Sequence, residues 1–260
     1  MAKRARSGWV AELRFFALLA LGALIFRSFI AAPFYIPSES MLPRLLIGDY
    51  LLVEKWPYGF SRWSLPWGWP LIPGRIFAKT PARGDVVVFR APGGRHDVIK
   101  RVIGLPGDTV QVRGGQVVLN GTAIPKLRVA DFTLRQSANF RCPAERQDVV
   151  AGERLCRYRR YRETLPGGRS YQVLDLGPGR DGDDTALFTV PPGQLFLMGD
   201  NRDNSADSRF PAPFGMGLVP IERLVGRAGV SVFSTDGSAE WLKPWTWVSA
   251  SRPERVGEGF

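Results

Sequence analysis

The sequence predicts a mainly β protein whose chain begins with a single transmembrane helix. Gly (29) and Pro (21) make up about a fifth of the 260 residues, a composition typical of short strands and turns and not of a helical bundle. One apolar segment near the N-terminus is long enough to cross a bilayer, and the runs that follow are short, of strand type, and bounded by Gly and Pro. We therefore expect an antiparallel β-sheet domain attached to a membrane helix.

The apolar segment covers residues 13–32. Arg14, Arg27 and Ser28 are its clearly polar side chains. A helix of twenty residues spans about 30 Å, which is the thickness of the hydrocarbon core of a bilayer. Because the charged residues that precede it are mostly basic, residues 1–12 are predicted to be a cytoplasmic tail, and the part of the chain after the segment is predicted to lie outside.

A cleaved signal peptide is the alternative for this segment. Arg27 directly follows the apolar stretch, and Phe29 or Ile30 stands where a cleavage site requires a small residue. These residues favour an anchor that stays uncleaved.

The sequence of the part that is predicted to be exported, from residue 33 onward, indicates a β domain with an insertion. Residues 33–125 and 191–260 are assigned to the β domain, and the strand-type runs within its first part are 50–53, 85–89, 97–103, 109–112 and 116–119. The intervening residues, 126–190, are polar and rich in Arg, and we interpret them as an inserted β-rich subdomain. They contain Cys142 and Cys156, which are expected to form a disulfide in an oxidising exterior or else to be two buried thiols.

The formal charge of +11 predicts anionic partners, either nucleic acid or phospholipid. An exported domain meets little nucleic acid, so we expect membrane phospholipids and no nucleic acid, including at the basic run 157–162. Two tryptophan groups either rest on the membrane or form an aromatic core. They are Trp56, Trp63, Trp67 and Trp69, and Trp241, Trp245 and Trp247.

Two serines follow the apolar segment in a strip bounded by prolines. Ser38 and Ser40 are two residues apart on extended backbone, so their side chains are expected to project to one side. A nucleophilic serine needs a base. The single histidine, His96, lies in a turn-like context that favours a solvated loop position.

Lys100 is the other candidate base. Lys100 and Arg101 alternate along a predicted strand, so one of the two cations is expected to point into apolar surroundings. Only the lysine can act there as a base, because burial lowers its pKa by up to about 3–5 units. A surface lysine is the alternative that spacing alone does not exclude.

The third polar segment, residues 199–209, is rich in turn-forming residues. An EF-hand is excluded because Arg202 and Ser205 stand where that loop needs a ligand and a glycine. With one histidine and two cysteines in the chain, we expect no metal site and no cofactor.

Four segments together resemble the type I signal peptidases, membrane-bound serine proteases with a Ser/Lys dyad. These segments are residues 37–49, 83–89, 99–108 and 199–209, and they occur in the family's order. The resemblance implies that Ser40 is the nucleophile and Lys100 the general base. It also implies that the Ser38 hydroxyl and the Ser40 N–H bind the oxyanion and that Ser205 orients Lys100.

The resemblance further implies supporting and substrate-binding residues. Asp207 and Arg209 are expected to form an ion pair, with Asp200 holding the same loop. Shallow pockets for small substrate side chains, which give an Ala-X-Ala preference, are expected to be lined by Phe34, Ile36, Met41, Val88 and Ile99. Glu39 and Arg44 depart from the family's usual residues near the nucleophile.

The implied function is removal of signal peptides from exported precursor proteins, in the bacterial cytoplasmic membrane with the N-terminus inside. A maturation peptidase of plasmid transfer would keep the dyad, but the complete run 199–205 weighs against it. The alternative from another class is a non-catalytic, membrane-tethered β module that binds lipid or envelope partners.

Overall fold

The computed structural model describes residues 8–94, 96–150, 152–240 and 242–260, and within them it confirms the mainly β class. The α-helices are α1 (Trp9–Ile25) and α2 (Trp245–Ser249). The strands of the first half are β1 (Ala31–Tyr35), β2 (Asp49–Glu54), β3 (Phe60–Ser61), β4 (Arg75–Ile76), β5 (Val86–Arg90), β6 (Asp97–Gly104), β7 (Thr109–Arg113), β8 (Gln116–Leu119) and β9 (Thr122–Ala123). Those of the second half are β10 (Lys126–Arg135), β11 (Gln147–Val150), β12 (Glu153–Thr164), β13 (Ser170–Leu174), β14 (Phe188–Thr189), β15 (Gln194–Met198), β16 (Val219–Pro220) and β17 (Leu224–Ser234).

Helix α1 continues through a π-helical turn, Phe26–Ile30, so the helical segment runs from Trp9 to Ile30. It begins before residue 13 because Glu12 occupies the first turn, where a negative charge is favourable. It ends before residue 32 because Ala31 is extended and pairs with β2. Its length and composition suffice to cross a membrane, and little of it packs against the rest of the protein.

The first seven residues of the predicted cytoplasmic tail lie outside the described residues.

A seven-stranded antiparallel sheet forms the centre of the molecule, in the order β1-β2-β17-β5-β6-β15-β16. Strands β5 and β6 are predominantly buried, which explains the continuous apolar run of residues 86–89 in β5, whereas β6 buries Lys100 and Arg101 among apolar residues. Their register places Val87 opposite Lys100 and Val86 opposite Arg101. Strand β6, which carries both cations, is therefore held on both sides by other strands.

Two smaller sheets flank the central one. In one, β12 pairs with β10 along one edge and with β11 and β13 along the other. In the other, the order is β14-β7-β8-β9, and Asn120 and Gly121 form the tight turn between β8 and β9 with positive φ angles. Strands β10 to β13 and β14 all lie within the predicted insertion 126–190, but β14 pairs with β7 outside it. The domain limits stay predictions.

A disulfide joins Cys142 to Cys156 in β12. Both cysteines are buried in a cluster with Leu42, Leu46 and Tyr158. Because Leu42 and Leu46 follow the Ser38 and Ser40 strip directly, this cluster packs the β10–β13 sheet onto the segment that carries the candidate nucleophile.

The tryptophans do not form a common aromatic core. Trp63 is half-buried against the central core, whereas the other described members of the two groups are exposed. The exposed ones are Trp56, Trp67, Trp69, Trp245 and Trp247. Trp241 lies outside the described residues. Phe60, near the first group, contacts Phe29 at a ring distance of 5.2 Å, so this aromatic segment lies beside the end of the N-terminal helix.

We expect the Cys142→Ser/Cys156→Ser double variant to lose about 3 kcal/mol of unfolding free energy, because the cross-link reduces the entropy of the unfolded chain. Denaturant unfolding of the full chain in detergent, followed by tryptophan fluorescence, measures this loss. Dithiothreitol should produce the same shift in the wild type and none in the double variant. Equal stability of the oxidised wild type and the variant would contradict the expectation.

Candidate active site

Ser40 and Lys100 meet at the centre of the candidate site. Lys100 Nζ donates a hydrogen bond of 2.6 Å to Ser40 Oγ and a second one of 3.0 Å to the carbonyl of Ile99. Ser40 lies in a turn directly before Met41 and Leu42, whose side chains are fully buried, while Lys100 extends from the central strand β6. Core packing on both sides therefore fixes the distance between the hydroxyl and the amine.

The surroundings of Lys100 lower its pKa to about 8, chiefly because burial disfavours the charged amine. The side chain is 3% exposed. The nearby carboxylates of Asp207 and Asp200 oppose this shift, and the guanidinium of Arg209 adds to it. Burial thus increases the minor neutral fraction of Lys100 at neutral pH, and the neutral amine is the form that can accept a proton.

Ser38 lies beside the pair, as the alternation of the strip predicts. Its Oγ is 3.4 Å from Ser40 Oγ, and its side chain is exposed. The two hydroxyls therefore face the same space, with Ser38 nearer the solvent.

Ser205 packs beside the nucleophile, but its hydroxyl makes no hydrogen bond in the part of the chain that the structure describes. The predicted bond from Ser205 to Lys100 is thus not formed here. Gly199 makes the close packing possible, since a Cβ at that position would lie 2.3 Å from Ser205 Oγ and 2.5 Å from the carbonyl oxygen of Ser40. The orienting role of Ser205 stays a prediction.

Asp200 binds the cation next to the lysine. Arg101 donates to both carboxylate oxygens of Asp200, at 2.7 and 2.6 Å, and to the carbonyl of Gly84 at 2.7 Å. Arg101 is 5% exposed. The sequence predicts one buried cation on this strand, whereas the structure buries both. Arg101 can be buried while charged because Asp200 compensates it, whereas Lys100 forms no such ion pair within the described part of the chain.

Asp207 and Arg209 form an ion pair, with two hydrogen bonds of 2.9 Å. Asp207 also accepts from the backbone N–H of Gly199 at 3.0 Å. The backbone N–H of Asn201 donates to the carbonyl of Ser40 at 3.0 Å. Residues 199–209 therefore form a loop that is held by internal hydrogen bonds and is hydrogen-bonded directly to the segment that contains Ser40.

Sequence reasoning missed a third buried ion pair, which joins this loop to β12. Arg202 pairs through both of its terminal nitrogens with Glu163 on β12, and the hydroxyl of Tyr171 donates to Glu163 at 2.9 Å. All three side chains are buried. The sequence signal was an acid that ends the basic run 157–162, but nothing local indicates its distant partner.

A cavity of about 820 Å³ opens over the pair. Its lining includes Ser38, Ser40 and Lys100 and four of the five predicted substrate-binding residues, namely Phe34, Ile36, Val88 and Ile99. Met41 does not line it, because its side chain packs in the core.

His96 stands at the rim of this cavity, exposed on the turn between β5 and β6. The hydrogen-bond partners of Ser40 Oγ are instead Lys100 and Ser38. Among the described residues, no group of three or more His, Cys, Asp or Glu side chains has the arrangement of a metal site.

Comparison with known proteins identifies the family. The model of the family "Signal peptidase, peptidase S26" matches residues 8–233. Signal peptidase I of Rickettsia typhi is 37% identical over 94% of this chain and 91% of its own, and that of Rickettsia akari is 38% identical over 90% and 86%. A crystal structure of a signal peptidase I from Enterococcus faecalis, 29% identical, superposes with a TM-score of 0.31 over 57% of this chain and 97% of that chain. The chain therefore belongs to the S26 family of signal peptidases, serine peptidases that cleave signal peptides from precursor proteins.

Proposed function

We propose that the protein is a membrane-anchored signal peptidase that cleaves after Ala-X-Ala type sequences with Ser40 as nucleophile and Lys100 as general base. The observation that carries this proposal is the 2.6 Å contact between Ser40 Oγ and a buried lysine that forms no ion pair with a carboxylate among the described residues. An amine in that position is close enough to take the hydroxyl proton. Burial lowers the pKa of Lys100 and so increases the neutral fraction that can accept this proton.

The chemistry follows from these two groups. Ser40 Oγ attacks the carbonyl carbon of the scissile bond while its proton moves to Lys100 Nζ. The negative charge on the carbonyl oxygen is bound by the Ser38 hydroxyl and the Ser40 N–H. Lys100 then passes the proton to the leaving amine, and water activated by the neutral lysine hydrolyses the acyl-enzyme.

Specificity for small residues follows from the walls of the cavity. Val88, Ile99 and Ile36 are buried or nearly so, and they leave shallow apolar space beside Ser40. Side chains of the size of alanine fit such space, and larger ones are excluded sterically. Met41 acts beneath this wall as core packing and not as a contact with substrate.

Membrane attachment is the remaining part of the proposal. The helix from Trp9 to Ile30 would anchor the chain once in the bacterial cytoplasmic membrane, with the catalytic part on the outer face. The exposed tryptophans near the helix end and in α2 suit the headgroup region, where one side of the ring is apolar and the other is wet. Phospholipids and signal-peptide-bearing precursors are the expected partners.

The decisive test is cleavage of a precursor by purified variants. We expect Ser40→Ala to abolish activity and Lys100→Met to lower kcat by at least about 10²–10⁴-fold, the contribution of a general base. Lys79→Met makes the same substitution at an exposed lysine and should retain activity.

Wild-type activity in either dyad variant would contradict the catalytic assignment and favour the non-catalytic module. Loss of activity in His96→Ala alone would instead indicate a histidine base.

The pH dependence should follow the lysine. Only deprotonated Lys100 is a base, so kcat/KM should rise about tenfold per pH unit below its pKa and level off above it. Its pKa is about 8, which places the acid limb of the profile there. The measurement is the pH–rate profile with an Ala-X-Ala peptide. An acid limb near the ordinary pKa of histidine, about 6.5, would contradict the assignment of Lys100.

Ser38→Ala should lower kcat by about 10²–10³-fold with little change in KM, because a hydroxyl that binds the oxyanion acts only in the transition state. Steady-state kinetics on the same peptide separate the two parameters. Ser249→Ala, at an exposed serine in α2, is the matched control. A rise in KM alone would show that Ser38 binds the substrate equally in the ground state and the transition state, and it would contradict the oxyanion role.

A further inference from the structure

A second cavity, of about 590 Å³, lies between the β10–β13 sheet, strand β6 and the C-terminal residues. We call it the arginine cavity, because six of its lining residues are arginines. These are Arg44, Arg101, Arg160, Arg162, Arg169 and Arg255. It shares no lining residue with the catalytic cavity. One carboxylate, that of Glu258, contributes to its wall.

Half of these arginines are compensated by carboxylates. The pairs are Arg101 with Asp200, Arg169 with Asp85, and Arg255 with Asp49 and Glu258. Arg44, Arg160 and Arg162 have no carboxylate partner in the described part of the chain. Three positive charges that have no carboxylate partner among the described residues therefore face one concave space.

Strand alternation explains why two of them converge. Arg160 and Arg162 are two residues apart on β12, so their side chains lie on the same face. Strand β13 is paired beside them and adds Ser170 and Gln172 to the lining, with Gln172 Oε1 accepting a bond of 3.1 Å from Arg160. Two arginines of the basic run 157–162 thus line the same cavity.

The chemistry of this pocket selects a particular anion. The guanidinium group is planar and presents paired donors that match the oxygens of a phosphate group. Gathering three guanidinium groups that have no carboxylate partner costs free energy through mutual repulsion, which a bound anion relieves. The rings of Phe132, Tyr171 and Phe260 supply an apolar wall beside the charges.

We propose that the arginine cavity binds a phosphate group, carried by a phospholipid headgroup or by a free phosphate anion, with Arg160 and Arg162 as its principal ligands. Arg44 closes the cavity from the side of the nucleophile segment, and its guanidinium lies 5.3 Å from the centre of the Phe260 ring. Neither principal ligand belongs to the catalytic machinery, so binding can be tested apart from cleavage.

The test is isothermal titration calorimetry on the full chain in dodecyl maltoside, with inorganic phosphate as the first probe and ionic strength held constant with NaCl. We expect saturable binding that weakens at least about tenfold in Arg160→Gln/Arg162→Gln, since each change removes a charge-assisted hydrogen bond. The matched control is Arg154→Gln/Arg159→Gln, which removes the same charge from the same strand at exposed residues outside the cavity. Its affinity should stay within about twofold. Arg160→Lys/Arg162→Lys keeps the charge without the paired donors and should bind with intermediate affinity.

Dihexanoyl phosphatidylglycerol, below its micellar concentration, is the second probe and distinguishes the sources of the phosphate. Binding at least about tenfold tighter than that of inorganic phosphate assigns the site to a lipid headgroup, and weaker or equal binding assigns it to a free phosphate. Equal losses in the cavity variant and the control would show general charge attraction and overturn the proposal. Absence of binding of both phosphate probes up to about 10 mM would also overturn it, as would tighter binding of a triglutamate peptide than of either phosphate probe.

Discussion

The arrangement of the candidate site depends on one buried lysine, Lys100, that forms no ion pair with a carboxylate among the described residues. Lys100 would ordinarily be protonated, and a salt bridge would keep it so. Two carboxylates, those of Asp200 and Asp207, act on it electrostatically, yet each is engaged by its own arginine. Arg101 and Arg209 therefore do more than hold the loop: they hold the negative charge in place and offset it. The lysine is left with a hydroxyl and a backbone carbonyl as its hydrogen-bond partners.

The same constraint explains how Ser40, the proposed nucleophile, is held. A serine must face the amine without moving away from it, so the segment around Ser40 is anchored from several sides. Met41 and Leu42 enter two different core clusters, and the backbone of Asn201 binds the carbonyl of Ser40. Gly199 allows the loop to approach this closely, because any larger residue would collide with Ser205 and Ser40. The site is thus positioned by packing against sheets and not by a mobile loop.

The sequence was sufficient for the class of fold, the apolar helix and the family, because these depend on composition, local periodicity and contiguous motifs. The strand position of Lys100 and the alternation of Ser38 and Ser40 also follow from local spacing. Sequence did not show that Arg101 is buried as well, or that Met41 packs away from the cavity. Those outcomes depend on which distant residue fills a given space: a carboxylate beyond β15 in the first case and the core in the second.

The β10–β13 sheet also shows what the sequence alone could not predict, because it is joined by an ion pair to the loop of residues 199–209. The polar, Arg-rich composition of residues 126–190 indicates only a subdomain inserted into the β domain. In the structure, β12 carries Glu163 to the buried guanidinium of Arg202, inside the loop that binds the nucleophile segment. The same strand carries Cys156, whose disulfide joins the cluster that packs Leu42. Removal of one partner of a buried ion pair strongly destabilises a protein, because the remaining charge is unpaired in a medium that cannot solvate it. The loop from 199 to 209 therefore requires this sheet for its own charge balance, and the sheet is a structural part of the site although none of its residues lines the catalytic cavity.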